Sequence, residues 1–137
     1  MKATLRKSGL YAALALMILS FQACAGTGRV EEVTSGASGN LELSMTASSF
    51  KFEPSVIQVG HVGNLIIRVR NVAGMEHNIT VKDPTGRVIA AADLPADKTV
   101  SLNVDLKEPG TYEFYCDKSM HATLGMKGEI RVTSRQQ

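Results

Sequence analysis

From residue 41 onward apolar and polar positions alternate, beginning with Leu41-Glu42-Leu43-Ser44-Met45, the period-two pattern of strands that bury one face. Short runs rich in Val, Ile, Phe and Tyr recur to the end of the chain, separated by Gly, Pro, Asn and Asp. Strands are expected at 41–46, 56–59, 65–72, 79–81, 88–90, 100–104, 111–116 and 129–133. Turns are expected at Asp83-Pro84-Thr85-Gly86 and Glu108-Pro109-Gly110, where proline presets φ and glycine tolerates positive φ. About eight strands in ~95 residues, with no amphipathic helix of ordinary length, predict an all-β Greek-key sandwich. Ala90-Ala91-Ala92 has the composition of a helical turn, which Pro95 would limit to about one turn.

Ahead of residue 41 the pattern is different. Lys2, Arg6 and Lys7 precede an apolar stretch over 10–19, which is followed by small residues near a cleavage point, the three parts of a secretory signal. The stretch is shorter than the ~20 residues that span a bilayer, so a processed leader is expected rather than a permanent helix. Ser20-Phe21-Gln22-Ala23-Cys24 resembles a relaxed bacterial lipobox, and Ala23-Cys24-Ala25 also satisfies the ordinary small-x-small rule. The lipoprotein reading is favoured, because the stretch after Cys24 is rich in Gly, Ser and Thr without an apolar period, as a tether would be. The expected organisation is a signal peptide at 1–23, a flexible tether at 24–40 and one domain at 41–137. The domain would be exported to a periplasmic or cell-surface location, with a bacterial membrane as partner through a lipid on Cys24.

Composition narrows the function. Lys and Arg total 15 against 13 Asp and Glu, but Lys2, Arg6 and Lys7 belong to the leader, and without them the balance tips to about −1. Phosphate binding needs clustered positive charge, so no nucleic-acid partner is expected. Cys24 and Cys116 are the only cysteines, and either cleavage reading takes Cys24 out of contention for a disulfide. A lone Cys116 in an oxidising compartment suggests intermolecular pairing, a reactive site or a metal ligand.

Cys116-x4-His121-x4-Met126 decides among these, because it sets a soft thiolate, an imidazole and a thioether on one loop after a strand. Soft sulfur stabilises Cu(I), and two imidazoles, one thiolate and a weak axial thioether make a blue-copper centre. Structural zinc would require four strong ligands, and methionine is a poor one. The second imidazole has to come from elsewhere. His77, 39 residues before Cys116 at the start of another strand, fits a sandwich whose strand ends meet at one pole. His61 lies in Gly60-His61-Val62-Gly63 and is expected to be an exposed turn residue without a ligand role. Alternation puts Tyr112, Phe114 and Cys116 on one face of their strand and Glu113 and Tyr115 on the other.

The chain resembles the cupredoxin family. The resemblance rests on Phe52-x-Pro54 ahead of Val59-Gly60, on His77-Asn78, on Pro109-Gly110-Thr111-Tyr112-Glu113-Phe114-Tyr115-Cys116, and on the His and Met that follow. It covers roughly 41–132. The stretch from Tyr112 to Cys116 is similar to plastocyanins, and the Cys-x4-His-x4-Met spacing resembles auracyanins and rusticyanins. The resemblance implies one type 1 copper held by His77, Cys116, His121 and Met126, with Asn78 tying the His77 segment to the Cys116 loop. Family members often carry Pro-Gly before the loop His where this chain has Ser119-Met120, so the exposure of His121 does not follow from the resemblance.

The function expected is that of an exported electron carrier cycling between Cu(I) and Cu(II), not an enzyme, with redox partner proteins docking near His121. Met75 and Met120 neighbour the ligand segments and are candidates for an apolar docking patch. A copper storage or delivery protein would use the same ligands but exchange metal readily. A copper enzyme with a second metal centre would need more His residues than the three present.

Overall fold

The computed structural model describes residues 30–33, 40–118 and 120–134. The signal peptide expected at 1–23, Cys24 as the expected lipid-bearing residue, and 24–29 and 34–39 of the expected tether lie outside the described residues. Ten strands are present: β1 (Val30–Val33), β2 (Leu41–Ser48), β3 (Lys51–Glu53), β4 (Val56–Val59), β5 (Gly63–Asn71), β6 (His77–Lys82), β7 (Val88–Leu94), β8 (Thr99–Leu106), β9 (Gly110–Tyr115) and β10 (Lys127–Val132). They form a six-stranded sheet, β1-β4-β10-β9-β6-β7, and a four-stranded sheet, β3-β2-β5-β8. Among the described residues there is no helix.

All eight expected strands are found, and two more accompany them. Val30–Val33, expected within a flexible tether, pairs parallel with β4 and covers that edge of the six-stranded sheet. Lys51–Glu53 pairs with the end of β2 and turns Phe52 inward. The helical turn suggested by Ala90-Ala91-Ala92 does not form. These alanines lie in β7, which pairs with β6 from His77↔Leu94 to Val81↔Ala90. Pairing along a buried neighbour outweighs the weak helical preference of three alanines.

The alternation of each strand sets the core. In β2, Leu41, Leu43, Met45 and Ala47 are buried while Glu42 and Ser44 face solvent. Leu65, Ile67 and Val69 of β5 do the same beside them, in parallel register with β2. Phe52 of the small sheet meets Phe114 of the large one with centroids 5.6 Å apart and planes at 72°, an edge-to-face contact between the layers. Each large apolar side chain fully buried in this way contributes about 1.5–3 kcal/mol.

Both expected turns form. Asp83 accepts hydrogen bonds at Oδ1 from the Thr85 hydroxyl (2.6 Å), the Thr85 amide (2.9 Å) and the Arg87 amide (3.0 Å), and at Oδ2 from the Arg87 guanidinium (2.8 Å). The Thr85 hydroxyl first, then the Arg87 amide and guanidinium and the Thr85 amide, hold its carboxyl at about 2, below the ordinary 3.8. Gly110 takes φ 143°, and a Cβ there would lie 2.9 Å from Pro84 Cγ, so this turn needs glycine for both backbone and space. Beside it the Tyr112 hydroxyl donates to the Glu108 carbonyl at 2.9 Å, closing a corner of the tyrosine type.

Register brings distant residues to one pole. β6 runs antiparallel to β9 with Thr80 opposite Tyr115, so two places further along Asn78 stands beside Asp117 and His77 follows. β10 also runs antiparallel to β9, with Lys127 opposite Tyr115, so the 116–126 loop rises from the same end.

Candidate metal centre

Cys116 follows β9 with its side chain turned inward, as the alternation of Tyr112 and Phe114 predicts, and all three are buried. Glu113 is exposed and Tyr115 half-buried on the opposite face, where Lys82 Nζ sits 4.9 Å from the Tyr115 ring centre. The loop that begins at Cys116 closes on itself. The Cys116 amide donates to the Met126 carbonyl at 3.0 Å, and the Met126 amide donates to the His121 carbonyl at 2.9 Å. Gly125, at φ 108°, makes the tight return that L side chains rarely adopt.

Within this pole Cys116 Sγ lies 3.4 Å from His121 Nδ1 and 4.0 Å from His77 Nδ1, and the two Nδ1 atoms are 3.1 Å apart. A point equidistant from the three lies about 2 Å from each, the length of an ordinary metal–imidazole bond. The donor set therefore fits a metal ion without rearrangement. Met126, buried, ends the same loop, and its backbone is bonded to both Cys116 and His121. The mixture of thiolate, two imidazoles and a nearby thioether suits copper better than zinc, calcium or magnesium.

His77 is fully buried, and burial first, then the facing His121 and Lys118, lowers its pKa from the ordinary 6.5. The neutral imidazole that a metal requires is thus the favoured form. Its Nε2 is buried with no hydrogen-bond partner among the described residues. His77 is held instead through its neighbours. Asn78 donates from Nδ2 to Asp117 Oδ1 at 2.5 Å and accepts at Oδ1 from the Asp117 amide at 2.9 Å, the tie that the resemblance implied. Thr80 Oγ1 donates to Asp117 Oδ2 at 3.3 Å, and Lys118 pairs with Glu76 and, at 3.6 Å, with Asp93. Those carboxylates, the Glu76 hydrogen bond foremost, raise the Lys118 pKa.

Sequence reasoning missed Asn71. Fully buried, it donates from Nδ2 to the carbonyls of Met75 (2.9 Å), Leu94 (2.8 Å) and Pro95 (3.2 Å) and accepts at Oδ1 from the Ala73 amide (2.9 Å). The segment that delivers His77 is therefore bolted to the end of β7. An Asn opening the Asn71-Val72-Ala73-Gly74 turn was the available signal. Phe50 was also missed. It sits in the β2–β3 turn and packs edge-to-face against His121, with centroids 5.0 Å apart and planes at 83°. His61 is exposed, with Nδ1 2.8 Å from the Val62 carbonyl, in the turn expected for it. Met75, Met120 and Leu124 expose 45%, 62% and 57% of their surface on the two ligand-bearing segments.

Comparison with known proteins agrees with this geometry. Residues 39–133 match the family described as copper binding proteins, plastocyanin/azurin family. A plastocyanin of Daucus carota is 41% identical over 73 residues, which span 49% of this chain and 73% of that protein. Plastocyanin A/B of Petroselinum crispum is 38% identical over 72 residues, spanning 48% of this chain and 72% of its own. Auracyanin A, a "blue" copper protein from Chloroflexus aurantiacus, superposes with a TM-score of 0.59 at 21% identity, covering 69% of this chain and 100% of its own, which is a likeness of fold. Family match, fold and donor set agree, and the chain belongs to the plastocyanin/azurin family of copper-binding proteins.

Proposed function

We propose that this protein is an exported one-electron carrier whose single type 1 copper would be held by His77, Cys116 and His121, with Met126 as a weaker fourth donor. The observation that carries the reading is the convergence of His77 Nδ1, Cys116 Sγ and His121 Nδ1, which all lie within 4.8 Å of one another. Bound copper would supply the Cu(I)/Cu(II) couple, and the chain's own residues would hold the donors around it. Cys116 and His77, buried, keep water from the inner side of the centre. The sandwich and the two cross-ties at Asp117 and Lys118 hold the donors where they already stand, so little reorganises when the charge changes.

His121 is half-buried and forms the outward part of the centre. Met75, Met120 and Leu124, exposed on the two ligand-bearing segments, offer apolar surface of the kind suited to brief encounters with redox partners. The N-terminal signal, with Cys24 as its lipid-bearing residue, would place this pole outside the cytoplasm and tether it to a membrane.

The test is a visible spectrum of the 41–137 domain prepared in two forms, with and without residues 24–40 so that β1 is controlled for. One equivalent of Cu(II) is added, then ascorbate, then an oxidant. An intense thiolate-to-copper band that bleaches and returns supports a reversible carrier. No band, or loss of metal on reduction, sinks the reading.

A further inference from the structure

Two non-glycine residues among those described take a left-handed backbone, Phe50 at φ 60° and Asp97 at φ 59°. Aspartate is tolerated there because its short polar side chain hydrogen-bonds locally. Phenylalanine has no such compensation, and glycine or asparagine would suit a tight hairpin turn better. A bulky residue held in this region signals a requirement beyond the turn itself.

What Phe50 adds is contact with the metal loop. Its ring forms the edge-to-face pair with His121, the geometry in which aromatic quadrupoles attract. Its carbonyl oxygen lies 3.8 Å from where a Cβ on Gly125 would stand, so the tip of the turn meets the loop at two places. Phe50 joins two strands of the four-stranded sheet, while His121 lies between two strands of the six-stranded one. The contact therefore braces the loop from the opposite layer. His121 needs this, because its strand-borne counterpart His77 is walled in by the core while His121 is half-open to solvent.

Resting on the copper reading of the site, we infer that Phe50 is a positioning residue for His121. Its ring keeps Nδ1 of the loop imidazole turned toward Cys116 and His77, and retention of copper in the reduced protein depends on it.

The test compares the full chain with Phe50→Gly and Phe50→Tyr, each loaded with Cu(II). Gly removes the ring and relieves the backbone, so the fold is expected to persist by circular dichroism. Tyr keeps the ring. Cu(I) release to a competing chelator after ascorbate is expected to be about tenfold faster in F50G, equivalent to about 1.4 kcal/mol. The copper hyperfine splitting of oxidised F50G should shift, and F50Y should match the parent in both. F50G releasing copper at the parent rate with an unchanged spectrum would overturn the inference, as would F50Y releasing it as fast as F50G. If the parent itself gives no thiolate-to-copper band, the copper reading falls, and the inference with it; that outcome is read before any variant is compared.

Discussion

His77 opens β6 and is fully buried, whereas His121 lies within the 116–126 loop and is half-buried. The first is supported by long-range pairing: Asn71 bolts the segment before it to β7, and Asn78 and Glu76 tie its flanks to Asp117 and Lys118. The second is supported by short-range backbone bonds, from the His121 amide to Lys118 and from the Met126 amide to His121, and by the ring of Phe50. One side of the centre is built like a core and the other like a lid on a short hinge. The difference teaches where rigidity and access reside: the inner donors are walled in by the core, and the outer one is the side of the centre open to solvent.

That contrast can be broken outright by removing each imidazole. H77G and H121G should both lose the thiolate-to-copper band, but added imidazole should restore it only in H121G, because only that position opens to solvent. Equal rescue in both variants would erase the distinction. The next effect is on the core-like side. N71A leaves three carbonyls and one amide without their buried partner and should lower stability by about 2–4 kcal/mol in urea unfolding of the copper-free protein. An unchanged unfolding midpoint would mean that the bolt to β7 carries nothing.

Electrostatics gives a smaller effect. D117N keeps a side chain that can bond to Asn78 and Thr80 but removes a negative charge next to Cys116, so the reduction potential should rise by a few tens of millivolts, measured by redox titration. A fall in potential would contradict the placement of that charge. The smallest effect at the centre is expected from Asp83, which lies in the β6–β7 turn and serves as a reference. Its pKa of about 2 lies below the ordinary 3.8, so its stabilising contribution is complete above about 4 and lost as pH falls through about 2. D83N should flatten the pH dependence of Tm in that window and leave the copper spectrum untouched.

Much of this was legible in the sequence because period-two burial is a local property. The patterns at 41–46 and 111–116 each specify which face turns inward, and Cys116 inherits its direction from Tyr112 and Phe114. β1 was not legible, since Val30-Glu31-Glu32-Val33 has no alternation and gains its structure from pairing with residues 56–59. β3 is three residues long with one inward side chain, below the length at which a period can be read. β7 was read short because alanine favours helices, and only its partner β6 overrides that preference. At the centre, the donors announced themselves by residue type, while Asn71, Phe50 and Asp117 did not. Their roles depend on which carbonyl, ring or amide lies opposite, and such pairings arise only when the two sheets have closed.

The hydrogen bond from the Cys116 amide to the Met126 carbonyl has a consequence for how such a protein can change over generations. The loop's ends are fastened to each other and to neighbouring strands, so the stretch between them behaves as an exchangeable cassette. Substitutions, insertions or deletions there would alter the outer imidazole's surroundings while the sandwich keeps its register. A lineage could retune the surroundings of its metal centre by editing one short segment, leaving the scaffold under separate selection.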